Sequence, residues 1–172
     1  GFYESNTNLW KTLELGRKLE EAGAVVMYSR TQCGPWPYEY PYADYTWEDY
    51  QALPDYEKYN KALSVIAAEA EAFEADYFIS VHSNAASEGT STNYPLLLYK
   101  GSDAAADNDG SKEMCETMWP YLFEMMNSGL DPYSYYSLTK MNNRGCDDFY
   151  GYTLGVLKQS RPGFLSEGYF HT

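Results

Sequence analysis

Apolar residues recur every three or four positions in three stretches of the chain, the spacing that gives a helix one buried face. The first stretch runs from Asn6 to Ala22 and is followed by Gly23, a residue type that commonly ends helices. The second runs from Asp55 to Ala75, and the third from Ser111 to about Ser128. We therefore predict three amphipathic helices. The residues that we expect the third to bury are Met114, Met118, Leu122 and Met125.

Short apolar runs between these helices predict five strands. They are Ala24–Ser29, Asp76–His82, Asn93–Tyr99, Thr153–Lys158 and Gly163–Glu167. Because helices and strands alternate, we predict an α/β fold in which a mainly parallel, twisted sheet has helices on both faces, a three-layer sandwich. The stretch from Thr31 to about Pro54 has turn residues and no sustained period, which predicts a long surface loop.

The charge balance excludes several classes of partner. The 172 residues include 12 Lys and Arg against 25 Asp and Glu, a formal net charge of −13. Such a surface repels phosphate backbones and anionic lipid headgroups, so we expect no nucleic-acid partner. No stretch approaches the roughly 20 apolar residues of a membrane helix, so we expect no membrane span. A chain of this length is expected to form one domain with a single core.

The aromatic residues and cysteines leave alternatives open. Aromatic side chains make up 17% of the chain, and many lie between Trp36 and Tyr59. Tyr and Trp rings suit contact with sugars or peptides, but they also pack loops onto cores, and packing is the favoured interpretation. The three cysteines have no zinc-finger spacing, and their odd number leaves open the disulfide state of Cys33, Cys115 and Cys146.

Three ionisable residues lie where predicted elements begin or end. His82 ends one apolar strand, Glu167 ends the last strand, and Glu4 comes directly before the first helix. In open α/β sheets, ligands bind beyond the carboxyl ends of the strands. A histidine and two carboxylates at such a place have the chemistry of a hydrolytic zinc site. Each also has an ordinary explanation, since a histidine can simply end a strand and a carboxylate favours a helix N-terminus.

The order of several segments resembles the zinc-dependent N-acetylmuramoyl-L-alanine amidases, which trim bacterial peptidoglycan. The segments include GFYESNTNLW at residues 1–10, ADYFISVHSNAA at residues 75–86 and GFLSEGYF at residues 163–170. The most specific part is a strand that ends in Ser-x-His-x-Asn, matched by Ser80, His82 and Asn84. The resemblance implies a phosphorylase/hydrolase-like three-layer sandwich, in agreement with the α/β pattern.

The resemblance also implies a zinc site with three protein ligands. Glu4 and His82 would hold the Zn²⁺ ion, matching a glutamate and a histidine that bind zinc in the family. The third ligand would be a histidine, which we expect upstream of Gly1. A water molecule would take the fourth position, as in other catalytic zinc sites.

Three further residues receive roles from the resemblance. Glu167 matches the catalytic glutamate of the family's terminal strand and would move a proton from water to the departing amine. Asn84 and Arg144 match positions expected to contact the substrate. The bond cut would join the lactyl group of N-acetylmuramic acid to the L-alanine of the stem peptide.

Two features depart from the family pattern. The chain begins three residues before Glu4, so we expect residues 1–172 to form a single amidase-like catalytic domain that is N-terminally incomplete. His171 is a poor substitute for the upstream histidine, because four residues of extended strand place it about 13 Å from Glu167. In the second helix, Ile66 and Ala70-Glu71 stand where the family has an Arg and an Ala-Asn pair. That difference leaves the substrate preference open.

The function implied by the resemblance is that of a bacterial hydrolase with peptidoglycan as its substrate. Such an enzyme acts outside the cytoplasm, in the periplasm, in the cell wall or as a secreted protein, and we expect a monomer. Two other functions remain open on the same residues. One is a non-catalytic module that binds peptidoglycan on the same fold, and the other is a zinc carboxypeptidase that acts on cell-wall peptides.

Overall fold

A computed structural model of the chain describes residues 4–32, 48, 52–85, 95–105, 110–128, 142–158 and 161–171. Its helices are α1 (Glu4–Glu21), α2 (Asp55–Ala72), α3 (Ser111–Ser128), α4 (Cys146–Tyr150) and a 3-10 helix (Gly155–Lys158). Its strands are β1 (Phe78–Ala85), β2 (Leu96–Tyr99), β3 (Asn142–Gly145) and β4 (Gly163–His171). The three long helices and the strands β1, β2 and β4 confirm the sequence predictions, with ends that differ by a few residues.

The described strands form one sheet in the order β1-β4-β2-β3. β1 is parallel to β4 and β2 is parallel to β3, whereas β2 and β4 are antiparallel. The prediction of a mainly parallel sheet is therefore confirmed, but the two halves of the sheet run in opposite directions. The carboxyl ends of β1 and β4 lie at one end of the sheet, and those of β2 and β3 lie at the other.

The two faces of the sheet have separate cores, because successive residues of a strand face opposite sides. The core on one face, covered by α2 and the 3-10 helix, contains Leu96, Leu98, Leu165, Val156 and Leu157. The core on the other face, covered by α3, contains Leu97, Tyr99, Phe164 and Cys115. Helices thus cover both faces, which confirms the predicted three-layer arrangement.

Two of the predicted strands are wrong. Residues 24–29 form no strand in the structure, and Val25 is 83% exposed. This run instead packs back onto α1. Tyr28 lies so close to Gly16 of α1 that a β-carbon at Gly16 would overlap the tyrosine ring. The predicted strand Thr153–Lys158 contains the 3-10 helix, because Val156 and Leu157 both enter the same core. Adjacent residues of a strand would face opposite sides of the sheet.

Other features of the described residues were not predicted. β3 is a strand of polar residues, and α4 follows it directly within a stretch that has no apolar period. Met118, predicted to be buried, is 36% exposed. Met114 and Leu122 pack against the core as predicted, and the side chain of Met125 lies outside the described residues.

The cysteines that the structure describes are buried free thiols. Cys115 and Cys146 belong to the two separate cores, on opposite faces of the sheet. Cys33 and most of the aromatic stretch between Trp36 and Tyr59 lie outside the described residues, as does most of the predicted loop 31–54. None of the helices in the described ranges is long and apolar enough to cross a membrane.

The start of β4 depends on the absence of a side chain at Gly163. A β-carbon there would overlap the backbone carbonyl oxygen of Phe78 in β1, with which Gly163 pairs. We expect Gly163→Ala to lower the free energy of unfolding by about 1–3 kcal/mol, because the backbone of the two strands must separate. Gly168→Ala is the matched control, since a β-carbon at this position of the same strand meets no atom within 4 Å.

Urea denaturation of the two variants measures the difference. Gly168→Ala should change the free energy of unfolding by less than about 0.5 kcal/mol, as is usual away from packed features. Equal losses in the two variants would contradict the close approach of β1 and β4 at Gly163.

Candidate functional site

Glu4 and His82 meet at the carboxyl end of β1. Glu4 is the first residue of α1, where the positive end of the helix dipole stabilises a carboxylate. His82 lies in β1 and is followed by Ser83, which is 5% exposed. The Nδ1 atom of His82 lies 3.4 Å from the Oε1 atom of Glu4, and the two side chains are 46% and 44% exposed. The pair is therefore reachable from solvent.

Two hydrogen bonds fix the carboxylate of Glu4 at this place. The backbone amide of Ser83 donates to Glu4 Oε1 over 3.1 Å, and Asn8 Nδ2 donates to the same oxygen over 3.1 Å. Because one donor belongs to β1 and the other to the next turn of α1, the carboxylate is held between the two elements. Neither donor was predicted from the sequence.

Glu167 lies beside His82 on the neighbouring strand. The parallel pairing of β1 and β4 places the two residues in register. Glu167 is only 7% exposed, and its Oε2 atom has no hydrogen-bond partner among the described residues. Burial, and secondly the charge of Glu4, raise the pKa of Glu167 from 4.5 to about 7. A buried carboxyl group with such a pKa can both accept and release a proton near neutral pH.

The surroundings of His82 favour its neutral form. Desolvation by the surrounding protein is the main influence, and it lowers the pKa of His82 below 6.5. The carboxylate of Glu4 opposes this shift, and the positive charge of Arg30 adds to it. Arg30 reaches this region by donating from its Nη2 atom to the backbone oxygen of Ser5 in the first turn of α1. A neutral imidazole is the form that binds metals.

The geometry of Glu4 and His82 suits a shared zinc ion. In a tetrahedral site with bonds of about 2.0–2.2 Å, neighbouring ligand atoms lie about 3.3–3.6 Å apart. The observed separation of 3.4 Å falls in this range. Within the described ranges, no group of three or more His, Cys, Asp or Glu side chains is placed to hold one metal ion. Glu167 therefore does not complete a ligand set with the other two residues.

The third zinc ligand that the resemblance implies is a histidine upstream of Gly1. That position precedes residues 1–172, and Gly1 itself lies outside the described residues. The histidine therefore stays a prediction. The described part of the chain supplies the pair Glu4 and His82, which is one protein ligand fewer than a catalytic zinc site has.

The two residues expected to contact the substrate lie in different places. Asn84 follows a shift in the pairing of β1 with β4 directly after His82, and its Oδ1 atom accepts a hydrogen bond from the amide of Ala85. It therefore lies next to the site. Arg144 lies in β3, whose carboxyl end is at the other end of the sheet, and the structure does not bring it to Glu4, His82 and Glu167.

Arg144 instead belongs to a polar clasp, by which we mean Asp103 and the groups that donate to its carboxylate. Arg144 Nε and the amide of Gly145 donate to the two carboxylate oxygens of Asp103 over 2.7 and 2.6 Å, and Tyr99 donates over 3.3 Å. These bonds join β2, β3 and the turn that follows β2. The position of Arg144 is therefore explained by its contact with Asp103 and requires no bound ligand.

The other residues named as departures from the family pattern make contacts within the fold. His171 pairs with Ala85 through the backbone at the end of β4, and its side chain lies outside the described residues. Ile66 packs against the core beneath α2, and Ala70 is 2% exposed. Glu71 accepts a hydrogen bond from Arg161 over 3.2 Å, which ties the end of α2 to the turn before β4.

No protein-family model matches the chain, and no curated protein matches its sequence. Solved structures do match. The CwlD amidase from Clostridioides difficile, solved in complex with the GerS lipoprotein, aligns with a TM-score of 0.69 and 21% identity over 99% of this chain and 72% of that chain.

A second similar structure is the catalytic domain of CwlV, the N-acetylmuramoyl-L-alanine amidase from Bacillus (Paenibacillus) polymyxa var. colistinus. It aligns with a TM-score of 0.53 and 18% identity, over 98% of this chain and 68% of that chain. The likeness in both cases extends over nearly the whole of this chain. The chain therefore has the α/β fold of the N-acetylmuramoyl-L-alanine amidase catalytic domain.

Proposed function

We propose that the chain is a zinc-dependent catalytic domain that hydrolyses the amide bond between N-acetylmuramic acid and the L-alanine of the stem peptide in bacterial peptidoglycan. The observation that carries the proposal is the meeting of Glu4 and His82 at 3.4 Å beside a buried Glu167 whose pKa is about 7. Perturbed ionisable groups that meet at a strand end are typical of catalytic sites. The fold shared with the CwlD and CwlV amidases supports the same interpretation.

Each of the three residues has a separate role in this proposal. Glu4 and His82 would hold a Zn²⁺ ion together with the histidine predicted upstream of Gly1. The chemistry that the ion would supply when bound is Lewis acidity toward the scissile carbonyl and a pKa of water lowered toward about 7. Glu167 accepts a proton from the attacking water and donates it to the departing amine. Burial suits Glu167 to this work, because in the metal-free protein it raises the pKa of the carboxyl group to about 7 and so brings proton uptake and release into the neutral range.

The proposed substrate determines where the protein acts. Peptidoglycan lies outside the cytoplasm, so we propose that the protein works in the periplasm, in the cell wall or after secretion, as a monomer. Asn84, next to His82 at the end of β1, is the residue that we propose contacts the muramyl peptide. We assign no such contact to Arg144, because Asp103 accepts its hydrogen bond in the clasp.

A non-catalytic module that binds peptidoglycan is the second candidate. The observation in its favour is that no group of three or more His, Cys, Asp or Glu side chains in the described ranges is placed to hold one metal ion. Incubation of the full-length protein with purified peptidoglycan and Zn²⁺ separates the candidates. An amidase releases intact stem peptides, a binding module sediments with the sacculi without releasing them, and a carboxypeptidase leaves shortened peptides attached to the glycan.

Replacement of the proposed proton carrier should abolish turnover. We expect Glu167→Gln to lower the kcat for release of stem peptides by about 10²–10⁴-fold, because the amide keeps the shape of the side chain but cannot accept the proton. KM should change little. Glu124→Gln makes the same chemical change on the exposed surface of α3 and should keep full activity. Equal turnover in the wild type and Glu167→Gln would contradict the assigned role.

The buried carboxyl group of Glu167 should also make stability depend on pH. Its pKa in the folded protein is about 7, against an ordinary value of 4.5, so folding strengthens proton binding. The stabilising contribution is complete below pH 4.5 and is lost as the pH rises through about 7. We therefore expect Glu167→Gln to raise the free energy of unfolding at pH 8 by about 1–3 kcal/mol, and to change it little at pH 5.

Urea denaturation of protein freed of metal by a chelator measures this difference, because a bound cation would stabilise the carboxylate. Glu124→Gln, which makes the same chemical change on the exposed surface of α3, is the control. An effect of Glu167→Gln that does not grow between pH 5 and pH 8 would show that burial does not perturb this group.

A further inference from the structure

Asn8 is a buried polar residue in the second turn of α1. It is 5% exposed, although an amide side chain is costly to bury unless its polar atoms are hydrogen-bonded. Both of its polar atoms have partners in the structure. Asn8 Nδ2 donates to Glu4 Oε1 over 3.1 Å and to Ser83 Oγ over 3.3 Å, and Asn8 Oδ1 accepts from Lys11 Nζ over 3.1 Å. The amide therefore joins Glu4, Lys11 and β1.

The contact with Lys11 fixes which way the amide faces. An ammonium group only donates hydrogen bonds, so it must meet the carbonyl oxygen of Asn8 and not the NH₂ group. The NH₂ group is then directed toward Glu4 and Ser83. Because Glu4, Asn8 and Lys11 lie three or four residues apart on one helix, the arrangement follows from the helical spacing alone.

Asn8 is placed to fix the orientation of the Glu4 carboxylate, the group proposed to bind the metal. The oxygen that accepts from Asn8 is the one that lies 3.4 Å from His82 Nδ1. Its second donor, the backbone amide of Ser83, is fixed by the strand. Two donors from different elements restrict rotation of the carboxylate about its last bond. Donors of this kind commonly set the orientation of ligands in metal sites.

We propose that Asn8 is a positioning residue that orients the carboxylate of Glu4 for metal binding. The inference rests on the proposed function, in which Glu4 is a ligand. Asn8 itself does not touch the metal or the substrate. The competing explanation is that Asn8 only joins α1 to β1 through Ser83, in which case its loss would affect stability and not the affinity for metal.

The test compares zinc affinity in the full-length protein and its variants, by competition with a chromophoric chelator. Asn8→Leu keeps the branching of the side chain at a somewhat larger volume but removes every side-chain hydrogen bond, and we expect it to weaken zinc binding about 10–100-fold. Thr12→Val is the matched control. Thr12 donates to the backbone oxygen of Asn8 over 2.7 Å, so its replacement disturbs the same turn of α1 without touching Glu4. We expect Thr12→Val to change the zinc affinity by less than about 3-fold.

Thermal unfolding without metal separates the two explanations. Should Asn8→Leu not fold, Asn8→Ala serves for the same comparison, since it removes the same bonds without adding apolar bulk. Zinc affinity within about 2-fold of the wild type in a folded Asn8 variant overturns the inference, as does an equal loss in Thr12→Val. Absence of zinc binding by the wild type would instead refute the proposed function.

Discussion

The parallel pairing of β1 with β4 is the constraint on which the candidate site depends. It places His82 next to Glu167 in register, and the two strands approach so closely at their start that Gly163 has no room for a side chain. The same packing leaves Glu167 buried, with one carboxylate oxygen lacking a partner among the described residues. Burying such a group in its charged form lowers the stability of the fold. The same burial favours proton transfer, because it raises the pKa of the carboxyl group. The strand pairing thus sets both the position and the pKa of Glu167.

The second constraint is the junction between α1 and β1. Glu4 begins the helix, Ser83 follows His82 in the strand, and Asn8 contacts both. A first helical turn is ordinarily prone to fraying because its amides lack partners within the helix. Here Arg30 donates to the backbone oxygen of Ser5, and Asn8 donates to the side chain of Glu4. The carboxylate of Glu4 therefore has a fixed place although it belongs to the end of a helix.

Much of this arrangement could be predicted from the sequence, for identifiable physical reasons. The long helices have a sustained period, and His82 and Glu167 follow apolar runs that must be strands. The direction of β2 could not be predicted, because an apolar run such as Leu96–Tyr99 pairs equally well in either sense. β3 could not be predicted because its residues are polar and lack the apolar pattern of a strand. Backbone hydrogen bonds to β2 hold it in the sheet. Asn8 could be related to Glu4 by helical spacing, but its contact with Ser83 depends on the tertiary fold.

The antiparallel pairing of β2 with β4 places the carboxyl ends of the strands at two opposite ends of the sheet, and the residues at these two ends have different roles. At one end, the atoms of Glu4, His82 and Glu167 must keep their relative positions for chemistry to occur. At the other end, the clasp around Asp103 joins the turn after β2 to β3 by hydrogen bonds within the scaffold. None of these bonds involves the paired strands that carry His82 and Glu167. Reversal of half the sheet therefore separates the hydrogen bonds that fasten the scaffold from the residues of the candidate site.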